Sequence, residues 1–465
     1  MPKPLPHRTA PIEDRDGLPV PRRYWAITAI VLAISMSVLD SSIANVALPT
    51  IGHELATTAA TSIWVINAYQ IAILIALLPL ASLGERVGYR RVSLGGLGVF
   101  TFASLSCALA PTMGALVVAR VIQGFGAAGI MSVNAALVRF TYPQRMLGRA
   151  IGINALAVAT SAAIGPTIAS GVLAVAPWRW LFAINVPIGI ATFCVASYAL
   201  PVTPQSHRRL DRTSAALHAG TFALLACGLE ALAHDSAIPL ALVEITVGVV
   251  LGTILVRHEL EREAPLIPFD LLRVRLFSLS IATSVCSFTG QMAALVALPF
   301  EIERLGHSAV ATGLLMTPWP VAVGIAAPIS GRLADRFPAS ILGGAGLATM
   351  ALGLLLLAVF PAGGSSADFI WRMALCGVGF GLFQSPNNRT LLLAAPRARS
   401  GAAGGMLGTA RLLGQTVGAA GVAILFRAYP ERGADFALFA AAAIALTAAI
   451  VSLSRLSIGA AVTSP

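Results

Sequence analysis

Residues 37–49 read SVLDSSIANVALP, and they hold two signals at once: a carboxylate inside an apolar run, and a tetrapeptide that recurs later in the chain. The run extends back to Tyr24, and Asp40 is the one charged residue between Tyr24 and Ala47. Such a run crosses a bilayer core, which takes about 20 residues of helix. An ionisable group inside a span is costly and marks a functional candidate. The tetrapeptide is VALP at Val46–Pro49, which returns at Val296–Pro299, 250 residues later.

The rest of the chain extends the first signal. Of 465 residues, 57% are hydrophobic and 11% charged, and the mean hydropathy is +0.83. A soluble domain has no interior large enough for that much apolar surface. Apolar runs near 24–47, 62–83, 92–110, 113–137, 148–174, 179–200, 214–234, 237–257, 277–300, 311–333, 341–360, 368–393, 402–427 and 435–456 predict fourteen transmembrane helices. The net charge of +11 does not imply nucleic acid. Arginines crowd alternate loops (Arg86, Arg90, Arg91, Arg139, Arg332, Arg336 and Arg389 among them), while the opposite loops hold few, such as Arg179, Arg304, Arg427 and Arg432. The positive-inside rule then places both termini in the cytoplasm. Residues 1–21 read as a proline-rich polar tail with no cleavable signal. The five cysteines lie in apolar segments without metal-type spacing, as small buried side chains do.

The second signal is a repeat. Leu83, Glu85 and Arg86 are matched by Leu333, Asp335 and Arg336, again 250 apart; Gly152, Ser161 and Gly165 match Gly405, Gly414 and Gly418; Arg120 is echoed by Arg372. The reading is a polar tail 1–21, an N-terminal six-helix bundle 22–200, a linker 201–213, an inserted two-helix hairpin 214–257, a linker 258–276, a C-terminal six-helix bundle 277–456 and a tail 457–465. Transporters built from repeats bind substrate at the repeat interface near the midplane.

These residues resemble the major facilitator superfamily, in its fourteen-helix drug:proton antiporter branch. LDSSIANVALP (39–49) is similar to that branch's helix 1 motif, ASLGERVGYRR (81–91) to the superfamily's loop 2–3 motif, RVIQGFGAAG (120–129) to the helix 4 motif, SAAIGPTIAS (161–170) to the antiporter motif of helix 5, and WRWLFAINVPIG (178–189) to the helix 6 signature. The match departs at Ala81, Glu85, Ser161, Ala169 and Ser170, where the family carries glycine, or aspartate in the case of Glu85. The resemblance implies an all-α membrane protein in the bacterial inner membrane. It would be a monomeric carrier that exchanges protons for small lipophilic or cationic compounds such as dyes and quaternary ammonium biocides, with no cofactor beyond the proton gradient. A related alternative is export of one dedicated metabolite or siderophore.

Candidate residues follow. Asp40 and Arg120 fall at similar depth and are expected to couple protons, with Glu230 and Glu244 of the hairpin as weaker candidates; the hairpin itself is expected to be peripheral. Glu85, Arg86, Gly88 and Arg90, with Asp335 and Arg336, form a charged latch between cytoplasmic helix ends in the family reading, and Gly165-Pro166 supplies a bend. Asn45, Trp64, Asn67, Tyr69, Gln70, Asn134, Asn154, Phe288, Gln291, Trp319, Phe383, Gln384 and Asn387 are the polar and aromatic residues expected to line a cavity, individually as consistent with helix packing. Aromatic faces suit lipophilic cations. Arg411 is a cation in span 13 with no identifiable partner. GFGAAG (124–129) fits a dinucleotide pattern but lies within a span, where small residues serve close helix approach. An enzyme is not expected: the chain has neither H-E-x-x-H nor G-x-S-x-G. Two matched halves around a single embedded acid argue for a carrier over a channel.

Overall fold

The computed structural model describes residues 17–143, 146–203, 205, 211–232, 238–262, 267, 269–361, 364–395 and 400–456. The 457–465 tail and parts of the N-terminal tail and both linkers lie outside them. Fourteen helices long and apolar enough to cross a membrane follow in order: α1 Arg22–Glu54, α2 Ala59–Val87, α3 Tyr89–Ala108, α4 Met113–Thr141, α5 Leu147–Val175, α6 Arg179–Ala199, α7 Arg212–Ala231, α8 Ile238–Leu260, α9 Arg275–Arg304, α10 Ala309–Leu333, α11 Ala339–Ala358, α12 Ser366–Ala394, α13 Ser400–Ala428 and α14 Gly433–Leu453. The even number puts the starts of α1 and the end of α14 on one face, here the terminal face; the opposite side is the far face.

The repeat is visible in backbone detail. The loop after α1 turns at Ala56, which has φ 51°, and the loop after α9 turns at Gly306, with φ 86°. These positions are 250 residues apart. Two residues on, Thr58 and Ser308 cap α2 and α10, each side-chain oxygen accepting a bond from the backbone N–H three residues later. Both helices then break inside the span, the first at Ile63 and the second at Thr317, about one turn further from its cap. A left-handed residue costs an L side chain about 1 kcal/mol and glycine nothing. Ala56→Gly is therefore expected to raise thermal stability in detergent by about 1 kcal/mol, and Gly306→Ala to lower it by a similar amount; melting of the two variants checks this.

Glycines set the helix spacing within each half. A Cβ on Gly124 would press on the Tyr69 carbonyl, and one on Gly377 on the Trp319 carbonyl; Gly126 packs on the Phe100 backbone, and Gly379 on that of Met350. GFGAAG is thus a packing surface between α4 and its neighbours α2 and α3. The matched pairs Gly124/Gly377 and Gly126/Gly379 stand 253 residues apart. That register pairs Arg120 with Met373, not with Arg372 as the sequence echo suggests. Met373 is fully buried, whereas Arg372 pairs with Asp368 at 2.8 Å in its own helix.

The halves are closed together at the far face. One apolar cluster joins Val46, Leu48 and Ile51 of α1 to Met292, Leu298 and Ile302 of α9. His53 and Glu303 pair across the seam at 3.2 Å, and the Thr167 and Thr317 hydroxyls meet at 2.9 Å. Gly313 of α10 sits so close to Pro166 and Ser170 of α5 that no side chain fits. The hairpin is not simply peripheral. Its α7 packs against α2 and α13, one helix from each half, while α8 packs on α7 with most of its surface outward. Asp211 secures the hairpin at the terminal face, accepting from the Ser214 N–H at 3.0 Å and meeting His258 at 3.3 Å and Arg262 at 3.2 Å. Burial pushes its carboxyl up, but the Ser214 and His258 hydrogen bonds and the Arg262 charge outweigh it and hold the group below the usual range.

Candidate functional site

Asp40 is 2% exposed and Arg120 is fully buried. The structure brings them into direct contact: Arg120 Nη1 donates to Asp40 Oδ2. Asp40 Oδ1 accepts from Gln123 Nε2 at 2.8 Å and from Asn185 Nδ2 at 2.8 Å. Four residues from α1, α4 and α6 therefore share one ionic knot. Gln123 is its hub, since its Oε1 also accepts from Arg120 at 2.6 Å and its Nε2 donates to Ser104 Oγ at 2.9 Å.

Arg120 has more support than its carboxylate partner alone. Its Nε donates to the Val65 carbonyl at 2.8 Å. Its guanidinium lies 4.2 Å from the centre of the Tyr69 ring and 5.5 Å from that of Phe182. Tyr69 is fixed in turn by donating to the Ser37 carbonyl at 3.0 Å. A proton on Asp40 would cancel the carboxylate charge and leave Arg120 still held by a carbonyl, an amide and two aromatic faces. These contacts offset part of the cost of opening the pair, although Arg120 Nη2 is enclosed without a partner among the described residues and the cation would be left without a counter-ion.

The C-terminal half has no counterpart of this chemistry. At the matched positions stand Gly290 for Asp40, Leu354 for Ser104, Met373 for Arg120 and Cys376 for Gln123; the last three are among the buried core side chains.

The remaining candidates divide. Asn387 does not face a cavity: its amide donates to Ser284 Oγ at 2.8 Å and its oxygen accepts from Arg455 at 2.7 Å. Arg455 is only 3% exposed, and also donates to Ser280 Oγ at 2.9 Å, so it ties α9, α12 and the end of α14 together at the terminal face. Phe383 and Phe288 pack on Phe380 inside the C-terminal half. Tyr69 belongs to the ionic knot. By contrast Asn67 is fully buried with neither amide atom hydrogen-bonded, and Asn45 Oδ1, Asn154 Oδ1 and Trp319 Nε1 are enclosed without a partner among the described residues. Gln70 and Asn134 are buried, and Trp64, Gln291 and Gln384 half-buried. Asp335 pairs with Arg389 of α12 at 2.6 Å, because α12 passes beside the end of α10. Glu85 and Arg86 are exposed and form no ion pair among the described residues, while Arg90 donates to the Ser197 carbonyl of α6. Gly88 makes the turn between α2 and α3 at φ 97°. Gly165 abuts Ser42 of α1, and Pro166 lies inside a continuous α5 where Gly313 of the other half meets it. Glu230 is fully buried and Glu244 half-buried, both toward the far end of the hairpin and away from the Asp40 knot. Gln123 and Asn185 were absent from the sequence-derived candidates although both lie inside the quoted motifs.

Residues 30–419 match the Major Facilitator Superfamily. The chain is 53% identical to the uncharacterized transporter YebQ of Escherichia coli (strain K12), over 96% of this chain and 98% of that protein. It is 28% identical to the riboflavin transporter RibZ of Clostridioides difficile (strain 630), over 86% of this chain and 87% of RibZ. It is 31% identical to the multidrug resistance protein Stp of Mycobacterium tuberculosis (strain ATCC 25618 / H37Rv), over 84% of this chain and 74% of Stp. The chain belongs to the Major Facilitator Superfamily and is a multi-pass membrane transporter.

Proposed function

We propose that this chain is a proton-coupled antiporter of the bacterial inner membrane that exports small lipophilic compounds by alternating access, with both termini in the cytoplasm. The observation that carries the reading is the enclosed Asp40 carboxylate, held by Arg120, Gln123 and Asn185 within one half of a two-half membrane bundle. Proton entry to Asp40 from outside and its release inside would be tied to exchange of the seam that is open. The likeness to a multidrug resistance protein supports a broad lipophilic cargo, with lipophilic cations the class implied by the sequence resemblance. The likeness to a riboflavin transporter favours a second reading, a single dedicated metabolite. Protons and cargo are the ligands in either case, and one chain suffices, since it contains both halves. Purified protein in liposomes with an imposed pH gradient tests the proposal: dye should accumulate against its own gradient only when the pH gradient points the right way.

In this scheme the far-face seam must open on every cycle. Cysteines at Thr167 and Thr317, whose hydroxyls touch, are expected to form a disulfide that stops more than about 90% of transport, with full recovery on reduction. Transport that continues through the oxidised protein would show that α5 and α10 need not part.

A further inference from the structure

Arg411 lies on α13 where that helix crosses into the N-terminal half: its neighbour Leu412 is buried in a cluster with Tyr69, Ile73 and Met36, and three residues earlier Gly408 contacts Leu77 of α2. On its other side Gly414 is packed against α9 at Val285 and Phe288. Arg411 is therefore placed on α13 between the halves, where that helix meets α2 and α9, and is half-buried. It makes no hydrogen bond or ion pair among the described residues, and its Nε is fully enclosed. The Tyr69 hydroxyl acts on it electrostatically but is spent on Ser37. In the repeat, Arg411 corresponds to Val158, so the cation is not required by the architecture. An arginine embedded in a membrane protein is retained at a cost unless an anion meets it.

A second observation points to a ligand at this seam. Asn67 on α2, fully buried, has both amide atoms unpartnered, and Thr416, just over one turn beyond Arg411, has an enclosed and unpartnered hydroxyl. Because α2 and α13 run antiparallel with Leu77 beside Gly408, Asn67 falls near the level of Thr416. Buried polar groups of native proteins are nearly always satisfied; the unpartnered Arg411, with Asn67 and Thr416 about 7–10 Å further toward the far face, calls for an acceptor-rich guest. We propose that Arg411 anchors an acidic group of the exported compound, so that the preferred cargo is a lipophilic molecule bearing a carboxylate or a comparable anion rather than a permanent cation. The inference rests on the exporter reading above and sets the charge of its cargo.

The test uses a rhodamine with a free carboxylate and the same rhodamine as its methyl ester, two probes that differ only in the anion. Equilibrium binding to the purified protein in detergent should favour the free acid by about tenfold or more, the range of a charge-assisted hydrogen bond. Arg411→Gln should erase the preference and Arg411→Lys should retain part of it. Since removing an uncompensated cation relieves a cost, Arg411→Gln should melt no lower than the parent. Equal or tighter binding of the ester to the parent protein, or an equal loss of both probes in Arg411→Gln, would overturn the anchor. If the free acid binds preferentially yet no pH gradient drives either dye, the antiport reading fails and the anchor stands. If gradient-driven transport is intact without any preference, the anchor fails alone.

Discussion

A protein carrying Asp40→Asn is expected to lose pH-gradient-driven accumulation altogether while still exchanging cargo down its concentration gradient. The asparagine fits the same volume and can still accept from Gln123 or Asn185, so folding should survive, but it cannot take up a proton. The expected loss is large. One proton entering with a potential of about 150 mV releases roughly 3.5 kcal/mol, at about 2.3 kcal/mol per 100 mV. That sustains roughly a 300-fold gradient of a cargo with no net charge, at 1.36 kcal/mol per tenfold; in the variant the sustained ratio should fall to about one. The response to voltage separates the cargo classes. Exchange of one proton for a monovalent cation moves no net charge and should follow the pH gradient alone, whereas exchange for a net-neutral zwitterion moves one charge and should respond to both. Parallel uptake assays in liposomes, with pH and potassium gradients set independently, read all of these. Full gradient-driven transport by Asp40→Asn would remove Asp40 from the mechanism and turn attention to Glu230 and Glu244.

The largest stability effect is expected at Arg120. Replacing it by methionine, the residue the other half carries at the matched position, leaves the Asp40 carboxylate buried with only two amides. Breaking a buried pair from one side costs about 3–5 kcal/mol, enough to empty the membrane of folded protein. Combining Arg120→Met with Asp40→Asn removes the stranded charge and should restore most of the folded yield, without restoring coupled transport. The measurement is the fraction of monodisperse protein after detergent extraction for the two single variants and the double. If Arg120→Met alone folds as well as the parent, the pair contributes little to holding α1 against α4.

How much of this is legible in the sequence follows from what a helix pattern encodes. Length and hydropathy place a residue along a span, so the fourteen helices, and the shared depth of Asp40 and Arg120, can be read directly. Rotation about the helix axis is much harder to read. Gln123 is three residues from Arg120 and therefore on its face, a signal that was present in the quoted motif. Asn185 reaches Asp40 only because α6 packs on α1, which no local pattern states. Asn387 shows the reverse: a polar residue at mid-helix looks like a cavity residue until Arg455, a distant residue at the end of α14, is found to use it. The Arg120–Arg372 echo misled by one residue because the two loops between matched helices differ in length, and the glycine contacts at Gly124 and Gly377 supply the corrected register. Arg389 takes Asp335 for the same kind of reason, as helix ends on one face meet partners remote in sequence.

If Asp40 carries the coupled proton, cargo binding and proton occupancy of Asp40 are linked. The most direct measurement is proton release on cargo binding, with purified protein in weakly buffered detergent solution and a pH indicator, titrated with saturating rhodamine. The account predicts about one proton released per cargo bound by the parent protein at the pH of greatest release, and none by Asp40→Asn although cargo still binds. Undiminished release from Asp40→Asn, or binding to the parent with no release at any pH, would contradict it.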